Sequence, residues 1–320
     1  MGGEVAAMGT SARPWGSWRR RAFTLGVPAV FVLAWSTAYV VGDLGVRSTP
    51  PFTLTFIRFG LAATCMLIIA VATRAPWPRT RREAGHIAIA GTLVQGVQFL
   101  GVYAGFKLGV PAAISSLVIG VNPVLTALLA RPVLGERTTG RQRWGFALGV
   151  LGVVLAVARG LHLSSDAFAG IGLTLLGLLA ISGGTVYQKR FCPEMDLRTG
   201  QAVQLVASTV LAGVCAFAFE RVHTDDFAVL AFSVGWLALI NSIGAVSLLY
   251  VMIRRGEASR ASTMFFLVPS VTAVIATIAL REPLSAYALA GLVVAALGVL
   301  LATSRRSTRQ RAGTDDDDER

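Results

Sequence analysis

The chain has 320 residues, of which 54% are hydrophobic and 14% charged, with mean hydropathy +0.65. Soluble proteins carry about 25% charged residues, so a single soluble core is excluded. The net charge of +12 would point to nucleic acid in a soluble protein, but its distribution along the chain follows a different rule, and no nucleic-acid partner is expected.

In chain order, residues 1–23 form a basic arm, with Arg13 and Arg19 to Arg21, that is expected to be disordered. A bilayer core takes about 20 apolar residues as a helix. On that ruler ten segments follow, at 24–43, 52–73, 84–105, 110–130, 143–159, 168–188, 200–219, 227–252, 257–280 and 285–303. The first is too long for a signal peptide and nine more follow it, so it is read as a retained helix. Residues 304–320 form a charged tail, expected to be disordered, whose Asp315 to Asp318 run is read as solvated. The basic parts of both ends are expected against anionic membrane lipids.

Assigning the loops alternately to two sides puts 23 of the 29 Lys and Arg residues on the side of the termini and five on the other, with Arg58 inside a span. By the positive-inside rule both termini are cytoplasmic, in a multi-pass protein of the cell (inner) membrane. The chain is also internally repeated at an offset of 146. Pro123 and Glu136 recur as Pro269 and Glu282, Thr126 and Ala127 as Thr272 and Ala273, and Gly145 and Gly152 as Gly291 and Gly298. Five spans per repeat is an odd number, so the copies must be inverted. The loop after Glu136 carries Arg137, Arg141 and Arg143, whereas the one after Glu282 has no basic residue. The expected fold is an all-α membrane protein of ten transmembrane helices, built from two five-helix repeats at 24–160 and 168–303.

Three stretches then carry a family resemblance: PPFTLTFIRFGLAA (50–63), ISSLVIGVNPVLTALLA with VLGER (114–137), and STMFFLVPSVTAVIATIALREPL (262–284). With them the chain resembles the drug/metabolite transporter superfamily, specifically proteins with two EamA-like five-helix repeats. The resemblance covers residues 24–303 and implies movement of small metabolites, often amino acids, sugars or amphiphilic drugs, and in many members export. At the position matching Arg58 the second repeat departs, carrying Gln204.

Arg58 is the one basic side chain well inside a span, roughly 9 Å from the helix end at 1.5 Å per residue. It is read either as a docking charge for a substrate carboxylate or phosphate, or as an arginine snorkelling to the interface and bound to helix-end carbonyls or Glu282. Gln95 and Gln98 share a helix face, and with Asn122 and Asn241 they fall near mid-membrane. They are read as lining a substrate path or as interhelical hydrogen bonds. Pro123 and Pro269 each remove a backbone donor, which suits a gating kink or a static one. Glu136 and Glu282 are read as structural caps of the helices that follow them. Trp35, Tyr39, Tyr103 and Tyr250 are candidate cavity aromatics, and the three tyrosines also fit an interfacial belt. The pairs Gly101/Gly105 and Gly145/Gly149 suit close helix contact.

Asp, Glu and His are missing from the deep part of every expected span, which disfavours a proton-coupled exporter of cationic drugs. Cys65, Cys192 and Cys215 have neither disulfide nor zinc spacing. No cofactor or metal is expected, and a homodimer is allowed. His86, His162 and His223 are scattered, so a membrane enzyme acting on lipid-linked substrates is a remote reading. The expected function is a secondary transporter of a small metabolite, best an amino acid or related zwitterionic or anionic compound, working by alternating access. The outward direction is implied by the resemblance alone. A passive channel or facilitator is the nearest alternative, a drug exporter a more distant one.

Overall fold

A computed structural model describes residues 15–135, 139–160, 165–248, 265, 267–282 and 285–303. Among the described residues every regular element is a helix. In order these are α1 (Trp15–Ser48), α2 (Pro51–Ala72), α3 (Arg81–Gly91), a π-helical segment (Thr92–Val97), α4 (Gln98–Lys107), α5 (Ala112–Gly120), α6 (Asn122–Leu134) and α7 (Gly140–Gly160). The second half has α8 (Ser165–Phe191), α9 (Leu197–Phe219), α10 (Phe227–Gly235), a second π-helical segment (Trp236–Ala245), α11 (Leu267–Ala279) and α12 (Ala286–Thr303).

Among the described residues, seven stretches are long and apolar enough to cross a membrane: Gly26–Ser48, Pro51–Ala72, Arg81–Lys107, Ala112–Leu134, Ser165–Phe191, Leu197–Phe219 and Phe227–Leu248. By length and composition this falls short of the ten expected. The other three expected spans correspond to α7, which has Arg141, Arg143 and Arg159 toward its ends, to α12, a shorter apolar helix, and to α11, whose expected span begins at 257, outside the described residues. Across the helices Ile68, Val71, Val210, Val214, Phe217 and Ile278 are exposed, while Arg58, Gln95, Gln98, Gln201, Gln204 and Asn241 are buried. Apolar outside and polar inside is the arrangement a lipid solvent requires. The basic arm before residue 15 and the tail after 303 lie outside the described residues, as do Glu136 and Tyr250.

Helix starts are set by local chemistry. Asp196 accepts from the Arg198 and Thr199 amides to start α9, and Asp226 accepts from Ala228 and Val229 to start α10. The start of α2 is held from afar. There Glu220, at the end of α9, accepts from the Phe52 and Thr53 amides at 2.9 and 2.8 Å and from the Thr53 hydroxyl. Pro123 produces a break rather than a kink. α5 ends at Gly120 with Val121 as its cap, and α6 begins at Asn122 with Pro123 in its first turn, where the missing amide has no partner to lose.

The 146-residue repeat reappears as packing. α2 lies on its counterpart α9, α7 on its counterpart α12, and α1 on α11 as α8 lies on α6. The glycine contacts carry the same exchange. A Cβ on Gly298 would meet the Gly145 carbonyl oxygen at 2.6 Å, and one on Gly152 would meet that of Gly291 at 2.6 Å. Adding 146 to one partner and subtracting it from the other turns the first contact into the second, which is how a pseudo-two-fold axis acts. Gly101 and Gly105 let α4 approach the α8 backbone at Leu173 and Gly170 in the same way.

Candidate functional site

Two adjoining cavities, of about 180 and 220 Å³, lie between the halves and share Trp35, Tyr39, Gln98 and Ile181. The first is lined by Arg58, Gln95, Gln188, Gln201, Gln204, Asn241 and Ser242 among others. The second reaches Ser116, Asn122, Pro123, Thr126 and Phe265.

Arg58 does not snorkel. It is 2% exposed, and its guanidinium donates to the Tyr103 hydroxyl and, at 3.3 Å, to Ser242 Oγ. It sits 4.2 Å from the Phe99 ring centroid, with Phe59 and Tyr103 at 5.2 and 5.7 Å. Aromatic faces offset part of the desolvation of a buried cation. Among the described residues no carboxylate pairs with it, and its Nε has no partner. Glu282, offered as a partner by the sequence, is engaged elsewhere.

The amides divide into two sets. Gln95 donates to Gln204 at 3.3 Å and accepts from Gln201 at 3.5 Å, and Gln204 in turn donates to Gln188 at 3.0 Å. These four glutamines form one hydrogen-bonded chain. Gln188 and Gln201 escaped sequence reasoning, although Gln201 and Gln204 have the same i, i+3 spacing that singled out Gln95 and Gln98. Asn241 stands apart: Nδ2 donates to the Ala34 carbonyl, while Oδ1 is buried without a partner. Asn122 Oδ1 accepts from Ser182 and Thr126, so its carbonyl is occupied.

Local backbone explains the placement. Gln95 lies in the first π-helical segment and Asn241 in the second. The two positions are 146 apart and so correspond between repeats. In α-helices, π-turns concentrate where function requires a side chain to be re-aimed. Here the wider turn brings successive residues Asn241 and Ser242 to one cavity.

Of the described aromatics, Trp35 and Tyr39 line the cavities, whereas Tyr103 lines neither and is buried in the bundle. Tyr103 is fully buried against Arg58, Tyr39 is 4% exposed and lines both cavities, and Trp35 stacks edge-on with Phe265 at 5.0 Å. Pro123 lines the second cavity, whereas the Pro269 ring presses on Gly120, where a Cβ would stand 2.9 Å from its Cγ.

Glu282 caps a helix of the other repeat, not the one that follows it. Its Oε1 accepts from the Ala112 amide at the start of α5, while Oε2 is buried and unpartnered. Burial, then the nearby Asp43 charge, pushes its carboxyl above the usual carboxylate range, against the lowering effect of the Ala112 amide and Arg47. A carboxyl raised in this way holds its proton more tightly folded than unfolded. Stability is therefore greatest below its unfolded value and falls as pH rises through the folded one. Thermal denaturation in detergent from pH 4.5 upward is expected to show that decline, and Glu282→Gln, which keeps an acceptor for Ala112, is expected to flatten it. An unchanged slope in the variant would assign the decline to other groups.

Against known proteins, the model of the EamA-like transporter family matches residues 24–158 and again 168–304. The chain is 26% identical over 291 residues to a protein of Escherichia coli (strain K12) named "Probable amino-acid metabolite efflux pump", spanning 86% of this chain and 93% of that one. It is 28% identical over 284 residues to the "Probable terminal-alkyne amino-acid exporter" of Streptantibioticus cattleyicolor, spanning 88% and 93%. A solved crystal structure shares the fold with a TM-score of 0.61 at 20% identity, over 87% of this chain and 95% of that one. Two matched repeats of apolar helices, folded around a polar cavity and covering most of the chain, make this a multi-pass membrane protein that belongs to the EamA-like transporter family.

Proposed function

We propose that the chain is a secondary carrier that exports a small carboxylate-bearing metabolite, best an amino acid, by alternating access. One observation carries the reading: a buried arginine with no carboxylate partner among the described residues, facing a cavity between two repeats. A lone cation in a low-dielectric interior is unfavourable, and a substrate anion relieves it. In this reading ten helices form two inverted five-helix repeats with both termini cytoplasmic. The helices carrying Pro123 and Pro269 gate opposite faces. The names of the two relatives support amino acids as the substrate class and export as the direction.

Counterflow in proteoliposomes tests this. Purified protein in vesicles preloaded with unlabelled amino acids, organic anions, sugars, nucleosides or cationic dyes is expected to accumulate the matching labelled amino acid saturably. Flux without trans-stimulation would indicate a passive facilitator. Accumulation of cationic dyes alone would sink the Arg58 reading.

A further inference from the structure

Among the described residues, two that line the first cavity each carry a buried atom without a partner, and the two atoms are of opposite character. Arg58 Nε is a charged donor without an acceptor. Asn241 Oδ1 is an acceptor without a donor. The orientation of the Asn241 amide is not arbitrary. Its other atom bonds the Ala34 carbonyl, which only accepts, so that atom is the nitrogen and the free one is the oxygen. The two residues are joined through Ser242, the immediate neighbour of Asn241, whose hydroxyl accepts from Arg58 at 3.3 Å and donates to the Leu237 carbonyl.

The counterparts of these residues in the other repeat behave differently. Gln204 stands where Arg58 does and Gln95 where Asn241 does, and those two are bonded to each other. The matched pair thus bonds to itself, while Arg58 and Asn241 each keep one buried atom open. Buried polar atoms are nearly always paired, so an open pair of opposite sense beside a cavity marks where a ligand completes the set.

We infer that Arg58 and Asn241 together form a zwitterion site, with Arg58 taking the α-carboxylate and Asn241 Oδ1 accepting from the α-ammonium. The site therefore selects amino acids over the same carbon skeleton lacking the amino group. This rests on the carrier reading above and adds Asn241 as the residue that sets specificity. A des-amino acid satisfies Arg58 but leaves Oδ1 buried and unpaired, and a decarboxylated amine does the reverse. A buried group left without its charged partner is the stronger basis for discrimination, because the loss includes its desolvation. Trp35 and Tyr39 line the same cavity and offer aromatic faces to the ammonium and the side chain.

The test is counterflow with the twenty common amino acids in wild-type proteoliposomes, followed by competition from analogues of each one that exchanges. For leucine these are 4-methylpentanoate and 3-methylbutylamine, and for phenylalanine 3-phenylpropanoate and 2-phenylethylamine. Both analogues are expected to compete on the order of 10- to 100-fold more weakly than the parent, the effect of one lost charge-assisted hydrogen bond. In Asn241→Leu the gap between the amino acid and its des-amino analogue is expected to close to within about threefold, with the parent weakened. Equal competition by the des-amino analogue in the wild type overturns the inference and leaves the carrier reading standing, and that result needs no variant to fold. An undiminished gap in a folded Asn241→Leu protein overturns it too. Exchange of organic anions but no amino acid overturns the zwitterion site alone, and exchange of nothing overturns both readings.

Discussion

Arg58→Gln is expected to lower exchange of carboxylate-bearing substrates by about 10- to 100-fold while leaving the protein folded. The magnitude follows from losing a charge-assisted hydrogen bond in a desolvated site, roughly 1.5–3 kcal/mol, at about 1.4 kcal/mol per decade. Folding is expected to survive for two reasons. The guanidinium is held by two neutral hydroxyls and an aromatic face, so its removal strands no charged partner. Glutamine is also the residue the second repeat carries at the matching position, as Gln204. Arg58→Lys is expected to recover only part of the activity. An ammonium keeps the charge but not the planar fork that bonds Tyr103 and Ser242 while stacking on Phe99. Initial counterflow rates together with a melting curve check both. A folded glutamine variant with unchanged exchange would make Arg58 a structural residue.

Gly152→Leu and Gly291→Leu are each expected to destabilise the protein by roughly 1–3 kcal/mol or more, the scale of overpacking a tight contact. A Cβ on Gly291 would lie 2.4 Å from the Gly152 carbonyl oxygen, and one on Gly152 would meet both the Gly291 oxygen and the Ala295 nitrogen at 2.6 Å. The obstacle on each side is backbone, which cannot rotate away as a side-chain end can, so α7 and α12 must separate. Because both substitutions break one contact, the double variant is expected to be less damaging than the sum of the two. Gly172→Leu supplies the contrast: nothing lies within 4 Å of its Cβ position, the residue is exposed, and stability should hold. Melting temperatures of the four proteins in detergent decide the matter. Equal stability of the Gly152 and Gly172 variants would remove the close approach as a stabilising feature.

The 146-residue repeat, the helical class and the polar identity of the core were all legible in the chain, because each is a property of local hydropathy or of self-comparison. A span in lipid is mostly apolar, so Arg58, Gln95, Gln98 or Asn241 stands out in a single line of sequence. The glycine pairs were legible for the same reason, as small residues at one-turn spacing on an apolar stretch.

Partners were not legible, since they join residues far apart in the chain whose meeting depends on how helices cross. Glu220 reads as an ordinary loop carboxylate, yet it caps α2 from 167 and 168 residues away. Glu282 was expected to cap its own successor and instead holds the start of α5, 170 residues off. Gln95, Gln188, Gln201 and Gln204 become one network only where α8, α9 and the first π-helical segment converge. By itself the sequence determined that one cation and several amides fall within apolar spans, and it left Arg58 either docked in the bundle or snorkelling to the interface. Which of those groups satisfy one another, and that Arg58 and Asn241 are left open beside a cavity, was decided by tertiary structure alone, because hydrogen bonding depends on angstrom-scale distances that hydropathy does not encode.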